Sequence, residues 1–211
     1  MTDGRGTIRL GERPLVMCDV DDVVLEFVTP FQAFLESRGH RLLSRSFRLH
    51  GNIIDKKAET MVDDRSVSGL IDSFFAAQEA WQKPFVGVPE TLQRLAKEAD
   101  LVFLTAMPPR HAKARRQLLE RFGLNYPLIA LEEPKGPVVQ RLHNDRPLPV
   151  AFVDDMVHNL HSVGEHVPDS LLIHLPPSVA IHKFAPVAAG HVHRVQNWTE
   201  AETLIIAHIL S

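Results

Sequence analysis

The 211-residue chain holds one cysteine, one tyrosine and two tryptophans, and aromatic residues make up only 7% of it. The lone thiol, Cys18, cannot close a disulfide within the chain, so an apolar core has to hold the fold, and a reducing compartment is expected. No apolar run reaches the ~18 residues of a membrane-spanning helix. Residues 1–13 are polar and carry no apolar stretch of roughly 7–15 residues, so no secretory leader is expected and a cytoplasmic location is the default. An excess of charge of one sign is also missing. Lys+Arg number 23 against Asp+Glu 26, a net charge of −3, which gives no global pull toward nucleic acid or an anionic membrane. Neither Gly-x-Gly-x-x-Gly nor Gly-x4-Gly-Lys-Ser/Thr occurs, so a dinucleotide site or P-loop has no support. Val24 stands six positions after Cys18, which excludes a Cys-x5-Arg loop; a buried, inert thiol is expected there.

What is present is ordinary for a globular chain: 45% hydrophobic and 23% charged residues. The length fits one domain carrying a modest insertion. Short apolar runs at 14–20 (PLVMCDV), 101–105 (LVFLT), 128–131 (LIAL), 149–153 (PVAFV) and 171–175 (LLIHL) read as buried strands. Helical segments lie between them. Pro89 and Pro109 stand where helices start, and Gly123 follows as a stop. Lys135–Leu142 and Val157–Val163 read as shorter helices, and Thr199 with Glu202 as the capping box of a last helix. Strands alternating with helices give an α/β fold with a parallel sheet covered on both faces.

The stretch 28–84 breaks that rhythm. Phe31, Phe34 and Leu35 have helical spacing up to Gly39, and Val67, Leu70, Ile71 and Phe74 repeat as one face of a second helix. The expectation is therefore a core of residues 1–27 and 85–211, interrupted by a mainly helical insertion without a comparable buried strand. Pro30, Pro84 and Gly87 mark its hinges.

Carboxylates cluster where a parallel sheet binds ligands, beyond the carboxyl ends of its strands. The first strand runs into Asp19-Val20-Asp21, and strand 149–153 into Asp154-Asp155. Like charges gathered in a cleft call for a cation. Strand 101–105 ends in the hydroxyl of Thr105, and Lys135 opens a helix. Each taken alone has an ordinary structural explanation, but together they fall in one order along one sheet edge.

That order resembles the haloacid dehalogenase (HAD) superfamily, mostly phosphatases. VMCDVDDVV matches its first motif, with Asp19, Asp21 and Val23 in place; LVFLT, Lys135 and AFVDD match the other three. The resemblance spans residues 15–155 and implies a Rossmann-like core with a small helical cap over 28–84. It implies Asp19 as a nucleophile forming an aspartyl-phosphate and Asp21 as general acid and base. It further implies Mg²⁺ held by Asp19, Asp154, Asp155 and the backbone carbonyl of Asp21, with Thr105 and Lys135 stabilising the phosphoryl group. Ala106 departs from the small polar residue or glycine of many relatives.

Three features invite other readings. Arg110, Lys113, Arg115, Arg116 and Arg121 read as a solvated helix face, with a nucleic-acid-end phosphatase as the alternative. The histidines, eight of them from His158 onward, read as surface residues, including the pair His191 and His193; His158 and Asn159 are candidates for orienting the metal ligands. A non-catalytic binding or regulatory protein of the same fold is the rival of a different class. The insertion suggests a lid over a small phosphorylated metabolite, a nucleotide among the candidates, with Arg45, Arg48, His50, Lys56 and Lys57 as its polar contacts.

Overall fold

The computed structural model describes residues 8–144 and 146–211; the first seven residues of the polar start lie outside them. Six parallel strands form one sheet in the order β5-β4-β1-β6-β7-β8. The strands are β1 (Leu15–Cys18), β4 (Asp100–Thr105), β5 (Leu128–Ala130), β6 (Val150–Asp154), β7 (Leu171–His174) and β8 (Val192–Arg194). In β1, Cys18 pairs with Phe103 on one side and Val153 on the other. All four residues of β1 are buried because both faces are covered. Alternation divides them: Leu15 and Met17 join the core cluster under α6 (Lys135–His143) and α7 (Val157–His166). Val16 and Cys18 join the opposite cluster under α4 (Val88–Glu98), α5 (Ala112–Arg121) and α8 (Trp198–Ile209).

The chain leaves β1 to build β4 on one side and later returns to place β6 on the other. The crevice at the carboxyl end of β1 is therefore a topological switch point, the place where open α/β sheets receive ligands.

Between β1 and α4 lie α1 (Val28–Ser37), β2 (His40–Leu42), β3 (Ile53–Asp55), α2 (Asp64–Ala76) and the single turn α3 (Gln78–Trp81). The expected helices are there, with Gly39 at φ 77° closing the first. No buried strand comparable to those of the core lies here, as expected, but β2 and β3 add a short antiparallel hairpin that the sequence reading did not foresee. Its strands span three residues each and are only partly buried, too short to leave an apolar run in the sequence. Phe31, Phe34, Val67 and Phe74 pack together, with Leu70 and Ile71 at the margin, and Met107 and Ile181 of the core loops join the same cluster. The insertion is thus seated on the sheet edge. Its two connections run side by side, bridged at Leu25 and Pro84.

The last helix starts differently from the sequence reading. Asn197, not Thr199, is its cap, accepting from the Glu200 amide, while the Glu200 carboxylate accepts from the Gln196 amide. The capping box is shifted by two residues because Trp198 turns inward, donating its indole N–H to the Val23 carbonyl at 2.9 Å. Among the described residues no helix is long and apolar enough to cross a membrane.

Candidate active site

Asp19 follows β1 directly; its backbone N–H donates to the Val153 carbonyl at 2.9 Å, which carries the sheet's pairing into the site. Lys135 is the first residue of α6, and its side chain is 1% exposed. Its ammonium donates to Asp19 Oδ1 and, at 2.7 Å, to Asp154 Oδ2. That reach depends on how closely α6 crosses α7. A Cβ on Gly136 would lie 2.1 Å from the Ser162 carbonyl oxygen, so no other residue fits beside Lys135 without moving backbone. Asp154 is fixed from its other side, accepting from the Met156 amide at 2.8 Å and from the Asn159 side-chain amide at 3.1 Å.

Burial pushes the Asp19 carboxyl up to about 7; Asp154 and Asp21 add to the rise and Lys135 opposes it. Burial acts to lower the Lys135 ammonium, but Asp154 and Asp19 outweigh it and hold the group above the ordinary lysine range. Asp155 is raised well above the usual carboxylate range by burial, with Asp154, Asp19 and Asp22 adding to it. The site thus gathers three buried carboxyl groups around Lys135, which pairs with Asp19 and Asp154. Cys18, beneath Asp19, is raised by burial and by that carboxylate, which keeps it an inert thiol.

Asp21 faces the other way. Arg115 of α5, fully buried, spans its carboxylate, with NH1 at 3.0 Å from Oδ2 and NH2 at 3.0 Å from Oδ1. Gln82 donates to Oδ1 at 2.8 Å, and the Thr105 hydroxyl to Oδ2 at 3.3 Å. Arg115 also donates to the side-chain oxygens of Gln78 and Gln82, both contributed by the insertion.

A third group borders these two. Asp22 has φ 59°, a conformation that side chains seldom adopt, and its carboxylate accepts from the amides of Phe27 and Val28 at the start of α1. His182 Nε2 lies 3.5 Å from Asp22 Oδ2 and 3.7 Å from Asp155 Oδ2. The Phe47 ring of the insertion meets the His182 ring edge-on at 4.9 Å. A cavity of about 210 Å³ opens here, bordered by Asp22, Asp155, Phe47, Arg48, Met156 and His182. A larger cavity of about 640 Å³, lined by Pro176, Ser178, Lys183, Arg194 and Gln196 among others, touches none of these carboxylates.

The residues singled out in the sequence, Asp19, Asp21, Thr105, Lys135, Asp154 and Asp155, lie at one edge of the sheet. Asn159 touches Asp154 as expected of an orienting residue; His158 points to solvent. His191 and His193 are exposed. Three histidines expected on the surface are instead buried: His111, His182, and His174, which is 1% exposed and bonds through Nε2 to the Asp155 carbonyl. The solvated face 110–121 holds for Arg110, Lys113, Arg116 and Arg121, which are exposed, with Arg110 paired to Asp72 of α2 at 2.5 Å and Arg121 3.6 Å from Glu79; it is corrected at Arg115, which is buried. Arg115 shares the buried face of α5 with Leu118 and Leu119, and that i, i+3, i+4 spacing was the signal that could have found it. Of the insertion's cations, Arg48 borders the cavity, whereas Lys56 pairs with Glu36 and His50 with Ser68.

The donor chemistry of Asp19, Asp154 and Asp155 fits a hard divalent cation: oxygen ligands from three buried carboxyl groups. As the side chains stand, no three acidic, histidine or cysteine groups close round one point among the described residues. The Lys135 ammonium draws on Asp19 and Asp154 together.

No family model and no curated protein matches the chain. Solved structures do. A haloacid dehalogenase-like hydrolase from Streptococcus pneumoniae superposes with a TM-score of 0.59 at 11% identity, over 92% of this chain and 99% of that one. One from Xanthomonas campestris gives 0.58 at 13%, over 94% and 93%. A HAD family hydrolase from Deinococcus radiodurans R1, with bound phosphate and sodium, gives 0.58 at 13%, over 93% and 96%. The chain has the haloacid dehalogenase-like fold.

Proposed function

We propose that the chain is a phosphomonoester hydrolase acting through an aspartyl-phosphate on Asp19. The observation that carries this reading is the division of labour at the switch point. Asp19 is paired to a buried lysine, and Asp21, two residues on, is held separately with its carboxylate directed away from that pair. The Deinococcus radiodurans hydrolase of the same fold holds a bound phosphate, which supports a phosphoryl group as the ligand of this chain.

In the first step an Asp19 oxygen forms a bond to phosphorus as the ester P–O bond breaks, and Asp21 gives a proton to the departing oxygen. In the second, water adds to phosphorus, its proton passes to Asp21, and the Asp19–phosphorus bond breaks to release phosphate. Lys135 offsets the charge that Asp19 and the phosphoryl group bring together. Thr105 stands beside Asp21, and its hydroxyl, which donates to Asp21 Oδ2 at 3.3 Å, would turn to a phosphoryl oxygen. Asp19, Asp154, Asp155 and the Asp21 carbonyl would hold Mg²⁺, which supplies Lewis-acid stabilisation of phosphoryl oxygens when bound.

A small phosphorylated metabolite is the substrate class this reading favours. The segment 28–84 acts as the cap, and the cavity it leaves beside Asp155 has only about 210 Å³. The basic run offers less to a nucleic-acid end than its sequence suggests, because Arg115 is buried against Asp21 and Arg110 is paired with Asp72. The test is Mg²⁺-dependent hydrolysis of p-nitrophenyl phosphate, followed by a panel of phosphorylated metabolites and oligonucleotides. Activity abolished by EDTA and by Asp19→Asn is expected. A purified, folded protein without Mg²⁺-dependent release of phosphate from any of them contradicts the reading and returns the chain to the binding-protein class.

A further inference from the structure

We propose that Arg115 is a positioning residue for Asp21, and that Gln78 and Gln82 extend its hold into the insertion, so that core and cap together fix the carboxylate serving the leaving oxygen. The proposal rests on the phosphohydrolase reading above.

A guanidinium with no exposed surface is costly to bury unless its donors are matched. Here they are matched around one plane. NH1 and NH2 take the two Asp21 oxygens, NH2 also reaches the Gln82 side-chain oxygen at 3.1 Å, and Nε donates to the Gln78 side-chain oxygen. The two glutamines are themselves oriented. Gln78 donates its amide to the Phe75 carbonyl at 2.6 Å, and Gln82 donates to the Glu26 carbonyl at 3.0 Å as well as to Asp21. Each amide has its nitrogen committed elsewhere, which leaves its oxygen for the arginine. The Phe75 ring lies 5.6 Å from the guanidinium carbon and walls off that side.

Asp21 Oδ2 thus accepts from Arg115 and Thr105, and Oδ1 accepts from Gln82 with Arg115 NH2 3.0 Å away, which leaves Oδ1 room for the proton it passes to the leaving oxygen. A carboxylate on a free side chain would have to be brought into line at each turnover; this one is set before substrate arrives. A lysine could not reproduce the arrangement, because a point charge lacks the planar fork that spans both oxygens while also meeting two amides. Sequence separation explains why the hold matters to the cap. Arg115 stands on a core helix and its amide partners at the start of α3 and just past its end, so its contacts beyond Asp21 close only with the insertion seated.

A structural tie between core and insertion would predict the same contacts, so the experiment must read the chemistry. kcat/KM reports the step up to formation of the aspartyl-phosphate. An alkyl phosphate such as β-glycerophosphate needs a proton at its leaving oxygen in that step, and p-nitrophenyl phosphate does not. Arg115→Met and Arg115→Lys should each lose about 10²-fold in kcat/KM for β-glycerophosphate and less than about threefold for p-nitrophenyl phosphate, the pattern Asp21→Asn should show. Gln82→Leu should show the same selectivity more weakly, and it carries the test if Arg115→Met does not fold. Equal losses on the two substrates, or no loss on either, overturn the positioning role and leave a mere tie. A wild-type protein that hydrolyses neither substrate overturns the phosphohydrolase reading itself, and the proposal with it.

Discussion

Asp19 and Asp21 are two residues apart, yet different parts of the molecule hold them. The partners of Asp19 all come from the sheet edge: Lys135 at the head of α6, and Asp154 at the end of β6, itself fixed by Asn159. Those of Asp21 come from α5, from the end of β4 and from the insertion. The first cluster is complete without the insertion; the second is not. This separates the two halves of the proposed chemistry. In that proposal the attacking group is held by the core alone, whereas the group at the leaving oxygen also depends on contacts from the insertion.

The largest effect expected from breaking this division is on Asp19. Asp19→Asn keeps the side chain's shape but removes the attacking charge, and kcat should fall by about 10³-fold or more in a phosphate-release assay. Near-wild-type turnover would assign the attack elsewhere.

Next comes the crossing that delivers Lys135. In Gly136→Ala the new methyl meets a backbone oxygen that cannot swing aside, so α6 must move and take the ammonium with it. A loss of about 1–3 kcal/mol in denaturant unfolding is expected, with activity reduced about tenfold or more. Gly69→Ala in α2, where nothing lies within 4 Å of the added methyl, is the control and should be neutral or mildly stabilising.

Asp154→Ala sharpens the comparison from the metal side. It removes a proposed ligand and also relieves repulsion with Asp155, and Lys135 keeps Asp19 as a partner. The metal-free variant should stay folded, and Mg²⁺ should raise the melting temperature of wild type but not of the variant. Isothermal titration showing unchanged Mg²⁺ affinity contradicts the ligand assignment.

The smallest effect belongs to the outer tie between insertion and core. His111 and Arg110 hold the half-exposed Asp72 carboxyl below its ordinary value. A depressed carboxylate stabilises above its unfolded value near 3.8 and loses that contribution as the pH falls through its lower folded one. Asp72→Asn should therefore cost under about 1 kcal/mol at neutral pH and flatten that part of the acid limb in unfolding measured against pH.

The same comparison explains what could be read from the chain. The Asp19 cluster was legible because each member sits at the end of a strand or the start of a helix. The apolar runs that mark β1, β4 and β6 also mark where their polar neighbours fall. The Asp21 cluster was not, because its partners lie 61 and 94 residues away on helix faces, where the sequence shows glutamine and arginine among many polar residues. Arg115 in particular was hidden by its charged neighbours, although its spacing to Leu118 and Leu119 placed it on the buried stripe. His111, His174 and His182 were missed for a related reason: a histidine carries no pattern that says which face it takes, and these three are buried. The β2–β3 hairpin escaped because three-residue strands are shorter than any periodicity can register.

The central claim is that Asp19 carries the phosphoryl group. The direct measurement is to react the protein with substrate and Mg²⁺, quench, reduce with borohydride, and read the peptide around residue 19 by mass spectrometry. Reduction converts an aspartyl-phosphate to homoserine and leaves a free carboxylate unchanged. The account predicts homoserine at position 19 that depends on substrate and is absent from Asp19→Asn. Sustained turnover with position 19 unmodified, or with the modification at another aspartate, would contradict it.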